Sequence, residues 1–357
     1  MEITPQVEAL RTAINTEDLG QVQALLSRDP ELHRAPLGYA NNGPLTWVAE
    51  CRVPGGPPSP TRLEMARWML DHGSDVHQGG DGPLMRAALG DARIPMMELL
   101  YECGADVNAL WNGNYPILFA PCETLQPGAL RWLLAHGADP QAISPKYGDP
   151  LSMLVGTYCR DAAGRHGCLA ALAEHGLGLP DTPVMALHQG RLDLLARWLE
   201  RDPGLLSRHF SETEIYAPEV CGEGNVGLTA VPVAGGTLLH LAVEYADVRT
   251  AAWLLEQGAD PNARAAPDAS GFSNHTPLFH AVITMGAKND ALTRLLLSHG
   301  ADPLLRATLR KQLRDMGDPA KEGMHEFRDV TPVEFARLFQ EPRWIVGPAL
   351  SLLEAPH

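Results

Sequence analysis

Apolar positions return along this chain in one recurring phrase: an apolar run, a polar pair, then Gly-Ala-Asp or a variant. It reads WMLDHGSDVH (68–77), LLYECGADVN (99–108), WLLAHGADPQ (132–141), WLLEQGADPN (253–262) and LLLSHGADPL (295–304). A degenerate copy, LAEHGLGLP, occupies 172–180, and in LLSRDPELH (25–33) and WLERDPGLL (198–206) Asp-Pro replaces the glycine end. Stripes such as Leu130, Leu133 and Leu134 predict a short amphipathic helix, closed by glycine in a left-handed conformation. A second phrase opens each unit: a capping or turn residue, then proline, then usually an apolar residue. The prolines are Pro5, Pro44, Pro83, Pro116, Pro150, Pro183, Pro277 and Pro332, with Leu238 in the proline position of one copy. Their spacing gives a period of about 33 residues interrupted by insertions. Thr4, Thr182, Thr276 and Thr331 are expected to cap the first helix, with proline at its first position, where a missing N–H costs nothing. Each unit therefore predicts two short helices joined by a turn. Neither helix can bury its apolar face alone, so neighbouring units must stack.

The motifs TPLFHA (276–281) and TLLHLA (237–242), with the GADVN and GADPN endings, resemble the ankyrin repeat. The resemblance implies an all-α solenoid of about nine helix-turn-helix units with projecting β-hairpin fingers. The units fall near 4–33, 40–78, 79–110, 111–143, 146–180, 181–207, 235–265, 272–304 and 329–356, in a single array over 1–357. The family's loop-bracing histidine matches only at His240. The other units carry Thr46, Met85, Leu118, Ser152, Met185, Phe279 and Glu334 there, so uneven bracing is expected.

Insertions in repeat proteins map to one face and mark where function is to be sought. Cys51–Thr61 and the longer turns 121–128, 158–167 and 285–290 lie between the two helices of a unit. Long insertions in the C-terminal half, at 207–234 and 305–329, lie between units on the finger side, as does 264–275. The first carries Glu212, Glu214, Glu219 and Glu223, with Ile215, Tyr216, Val220, Leu228 and Val231 suggesting that it packs on something. In the second, Thr308 to Met316 is predicted as an amphipathic helix. It is read as a solvated charged helix, with a phosphate or nucleic-acid contact as the alternative.

The net charge of −15 opposes nucleic-acid and anionic-membrane binding overall, and no apolar stretch approaches the roughly 20 residues of a membrane helix. The start MEITPQVEAL does not read as a secretory signal, and six irregularly spaced cysteines form no disulfide scaffold, which places the protein in the cytoplasm as a monomer. His72, His136, His175 and His299 occupy one equivalent position each. They are read as cations at helix C-termini rather than shared metal ligands. Cys159, His166 and Cys168 lack a fourth zinc ligand, so no metal or cofactor is expected. No nucleophile elbow or phosphate loop is present. Cys221 sits among glutamates that disfavour a thiolate. Trp68, Trp132, Trp198 and Trp253 share one register of the second helices and are read as core.

Trp111 and Tyr115 flank Asn112-Gly113-Asn114, a turn signal at a finger tip, and Lys146 and Tyr147 occupy the next finger. With Tyr216, Phe272 and His275 from the insertions, these are the candidate binding residues. They lead to a non-enzymatic scaffold that holds a protein or peptide on its concave face and finger tips. The alternatives are an enzyme or small-molecule binder roofed by 207–234, and an effector or immunity-type inhibitor.

Overall fold

A computed structural model describes residues 4–38, 40, 42–216, 229–313 and 319–355. Glu219, Val220, Cys221, Glu223, Leu228, Arg314 and Met316 lie outside the described residues. The chain forms two compact units, Met1–Leu154 with Gly167–Leu177, and Val155–His166 with Gly178–His357.

In unit 1 the helix pairs are α1 (Pro5–Asn15) with α2 (Leu19–Arg28), α3 (Pro44–Glu50) with α4 (Pro60–Asp71), α5 (Gln78–Ala87) with α6 (Ile94–Glu102), and α7 (Phe119–Thr124) with α8 (Pro127–Ala135). Strands β1 (Leu110–Trp111) and β2 (Tyr115–Pro116) form an antiparallel finger before α7. The segments that divide between the units are α9 (Pro150–Gly156) and α10 (Ala162–Glu174). Unit 2 continues with α11 (Pro183–His188), α12 (Leu192–Arg201), α13 (Glu212–Ile215), α14 (Leu238–Glu244), α15 (Val248–Glu256), α16 (Pro277–Val282) and α17 (Ala291–Ser298). It ends with β3 (Ala307–Leu313), β4 (Gly323–Val330), α18 (Pro332–Leu338) and α19 (Gly347–Leu353).

Pro5, Pro44, Pro150, Pro183, Pro277 and Pro332 are each the first residue of a helix. The threonine before three of them caps it: Thr4 accepts from Val7 N, Thr182 from Met185 N and Thr331 from Glu334 N. The predicted stripe holds, with Leu130 and Leu133 fully buried and Leu134 nearly so. The glycines ending the second helices, Gly73, Gly104, Gly137, Gly258 and Gly300, all have positive φ.

Three expectations are corrected. Residues 307–313 form a strand, not a helix, because pairing with β4 satisfies their backbone and buries Ala307, Leu309 and Leu313. The turns at 121–128 and 158–167 are shorter, since α7 runs to Thr124 and α8 begins at Pro127, and α10 begins at Ala162. The four tryptophans are half-buried rather than core. Trp68 and Trp132 instead stack on the histidine one turn later, His72 at 4.1 Å and His136 at 3.9 Å between ring centroids. Each of those histidines sets Nδ1 2.7 Å from its tryptophan's carbonyl oxygen, so Nδ1 donates and closes the helix end.

Candidate binding surface

The first finger is placed by its neighbour. Gly79 and Gly80 both have positive φ, and a Cβ on Gly80 would lie 2.4 Å from the Leu110 carbonyl oxygen. Only glycine lets β1 pass this close, and Asn112 N then donates to Gly79 O at 3.0 Å. Asp81 ties the base, facing His77 Nδ1 at 2.7 Å and accepting from Asp106 N. At the tip Asn112 and Gly113 take φ of 48° and 74°, the left-handed pair that a tight hairpin needs.

The second finger, around 137–148, is pinned to the first. Asn108 donates from Nδ2 to Gly137 O at 2.9 Å and accepts from Asp139 N at 2.9 Å. Ser144 Oγ donates to Asn114 O at 2.7 Å, and Ser144 pairs with Gly148 across its own turn. Unit 2 repeats the asparagine device: Asn262 bonds Gly300 O at 2.9 Å and Asp302 N at 2.7 Å.

These bonds bring six sequence-predicted candidates together. Asn112, Asn114 and Lys146 are exposed, while Trp111 and Tyr147 are half-buried. Tyr115 is buried and joins them, meeting Trp111 edge-on at 5.8 Å and Tyr147 at 5.5 Å. Its hydroxyl donates to Glu123 at 2.6 Å, and burial with that carboxylate pushes its pKa well up. The Asn42 amide, oriented to satisfy both its atoms, accepts from Trp111 Nε1 at 2.6 Å, and Lys146 lies 4.8 Å over the Tyr147 ring. Trp111 therefore braces its finger while keeping part of its ring at the surface.

Tyr216, Phe272 and His275 belong to unit 2 and are interior, so they hold that unit together rather than face solvent. Phe272 lies beneath the guanidinium groups of Arg310 (5.0 Å) and Arg328 (4.7 Å). Tyr216 meets Tyr245, hydroxyl to hydroxyl, at 3.4 Å. His275 joins a polar cluster that the sequence reading missed.

The centre of that cluster is Glu244, the last residue of α14. Its Oε1 accepts from Arg160 Nη2 (2.9 Å), Arg160 Nε (3.3 Å) and Ala230 N (2.9 Å). Its Oε2 accepts from His280 Nδ1 (2.7 Å) and Val231 N (3.4 Å). Burial favours the protonated acid, but Arg160 and His280 outweigh it and hold the carboxyl below its ordinary range. His280 Nε2 lies 3.1 Å from His275 Nε2. His240 braces the loop as the resemblance implies, reaching His275 O at 3.2 Å and Thr237 N at 3.1 Å. Burial lowers the His240 pKa to about 3 and drives those of His275 and His188 well below 6.5. A cavity of about 270 Å³ beside the cluster is lined by Arg160, Val243, His280, Thr284, Asn289 and Val346.

Exposed aliphatic residues at the fingers were also missed. Leu110 and Ile143, each six residues after the glycine of its repeat, face solvent. Their only sequence signal was an apolar residue where unit 2 has Arg264 and Arg306. Among the described residues no helix is long and apolar enough to cross a membrane.

Residues 234–266 match the family model for the ankyrin repeat. No curated protein matches the chain. Among solved structures it is similar to the human ASB11 ankyrin repeat domain at 18% identity, over 88% of this chain and 99% of that one, with a TM-score of 0.34. The match identifies residues 234–266 as an ankyrin repeat, and helix pairs with the same capped start and glycine end recur along the chain.

Proposed function

We propose that the protein is a non-enzymatic binding scaffold, an array of nine repeats that holds a protein or peptide partner at the finger tips of unit 1. Ankyrin repeats generally serve protein–protein interaction. The observation that carries the reading here is two consecutive fingers hydrogen-bonded into one surface, with Asn112, Asn114 and Lys146 exposed and Trp111 and Tyr147 half-exposed beside them. A large amphipathic ring fixed at low entropy cost is the usual anchor of an interface, and polar residues around it form the rim.

The test is recovery of partners by full-length protein from its native source, followed by affinity measurement with each variant. Tyr147→Ala is expected to weaken binding by about 1–3 kcal/mol with little change in thermal midpoint. Trp111→Ala is expected to lose both binding and stability, because its indole also bonds Asn42. Normal binding by both variants would remove the fingers from the interface.

A further inference from the structure

Between the two fingers of unit 1 lies a groove of about 430 Å³, walled by Val107, Leu110, Pro116, Leu118, Ala142 and Ile143, with Asp139 on its rim. Ile143 is 73% exposed and Leu110 46%. Paired aliphatic side chains held at a rigid, solvent-facing edge mark a contact site rather than scattered surface hydrophobics. The walls are fixed before any partner arrives. Asn108 bonds both sides, and Ser144 ties the second finger to Asn114. A pre-organised groove spares the ordering cost of association.

The charged residue lining it is Asp139, with Lys146 further along the same finger. Asp106 and Asp139 are exposed where the two fingers leave their helices. Unit 1 as a whole has 10 Lys and Arg against 19 Asp and Glu, a net charge of −9. An acidic segment would be repelled and a cationic one drawn in. The same repeat position in unit 2 holds arginines engaged elsewhere. Arg264 donates to the carbonyls of Asn274 and Arg306, and Arg306 reaches Asp329 and Glu334.

We propose that this groove docks an extended peptide segment that places one aliphatic side chain between Leu110 and Ile143 and sets a lysine or arginine beside Asp139 or Asp106. The inference rests on the finger-surface reading above and adds the chemistry of the partner.

The experiment is selection from a random-sequence peptide library displayed on phage, with the full chain as bait, followed by titration of the enriched peptides. The expected result is enrichment of Leu, Ile, Val or Met within a few positions of Lys or Arg. Ile143→Ser should weaken those peptides by about tenfold or more and Asp139→Asn by severalfold, both with unchanged thermal midpoints. Wild-type affinity should fall as salt rises, and the loss caused by Asp139→Asn should shrink. Enrichment of acidic sequences, no enrichment, or peptides that bind Ile143→Ser as well as wild type would overturn the proposal. So would concentration-dependent self-association that disappears in Ile143→Ser, which would make the occupant a second copy of the chain. Peptides insensitive to Ile143→Ser but lost with Tyr147→Ala would sink this inference and leave the finger-tip reading standing. Selection that neither substitution affects would sink both.

Discussion

Unit 1 and unit 2 put a carboxylate at the same repeat position and neutralise it in different ways. Glu50 ends α3 and Glu244 ends α14, each the seventh residue of its helix. Both reach the residue three beyond the opening proline of the next repeat, where unit 1 supplies Arg86 (2.6 Å) after Pro83 and unit 2 supplies His280 (2.7 Å) after Pro277. An arginine is a fixed charge with a planar fork of donors, whereas His280 meets its carboxylate through Nδ1 alone. Glu50 has only the exposed Arg52, at 3.8 Å, as a second cation, whereas Glu244 has the buried Arg160 at 2.9 Å together with two backbone donors from Ala230 and Val231. One stacking position thus serves as a simple clasp in unit 1 and as the hub of a buried network in unit 2.

The largest expected effect follows from that difference. Glu244→Ala leaves the Arg160 side chain, 0% exposed, without its carboxylate and also strips two backbone N–H groups of their acceptor. Breaking a buried pair from one side costs about 3–5 kcal/mol. Glu50→Ala takes its carboxylate from Arg86, whose side chain retains 10% exposure and reaches water more readily, so the loss should be about 1–3 kcal/mol. Urea unfolding of both variants decides it, and equal losses would erase the contrast. Leu133→Ala calibrates the scale, since this fully buried side chain in α8 should cost about 2–5 kcal/mol through its cavity alone.

Acid should separate the units next. His188, His240 and His275 are buried in unit 2 with lowered pKa values, His240 to about 3, while unit 1 has the buried His33, also lowered by burial. A histidine whose folded pKa lies below 6.5 leaves the unfolded chain binding more protons under that pH. Its contribution is therefore whole above about pH 6.5 and falls as pH drops toward the folded value, by up to about 1.4 kcal/mol per pH unit. Glu244 adds to the loss only at lower pH, as its depressed pKa is approached. Hydrogen-exchange protection, corrected for the intrinsic slowing of exchange in acid, should therefore fall earlier in α14 and α16 than in α4 and α6 between pH 7 and pH 5. The reverse order would mean that the unit 2 histidines accept protons without opening the fold.

The legibility of the two units in the sequence differs for physical reasons. The proline phase predicted six helix starts to the residue and the threonine caps three, because capping is a local bond between neighbours in sequence; Pro83 lies inside α5, Pro116 lies in β2, and Thr276 makes no side-chain cap bond. The Asn112-Gly113 turn was legible for the same reason. The tryptophans misled because their shared register fits both a core stripe and an outer face. Half out, Trp68 and Trp132 stack on the histidine four residues later, while Trp198 and Trp253 are followed there by Asp202 and Gln257. The 307–313 strand was hidden because its partner, 323–330, lies across an insertion, and pairing overrode local pattern. Glu50 with Arg86 and Glu244 with His280 share one sequence spacing, yet nothing local ties a helix-ending glutamate to the next repeat. Stacking alone makes them neighbours.

The smallest effect tests the fingers, where the units differ as they do inside. In unit 2 the position of Ile143 is held by Arg306, whose Nε lies 3.1 Å from Asp329 and whose Nη2 lies 2.9 Å from Glu334. It also bonds the Asp329 carbonyl oxygen. These contacts are surface-exposed, so water and salt screen them, and Arg306→Ser should cost no more than about 1 kcal/mol. Ile143→Ser removes a side chain that is 73% exposed, so it should stay within about 0.5 kcal/mol of wild type. Parallel thermal melts at low and high salt resolve the pair. The Arg306 loss should shrink as salt rises, while the Ile143 value stays flat, because one position is electrostatic and the other is apolar. A substantial loss at Ile143 would show that its side chain packs within the finger instead of facing outward. The groove would then keep Leu110 as its exposed aliphatic wall but lose the opposite one.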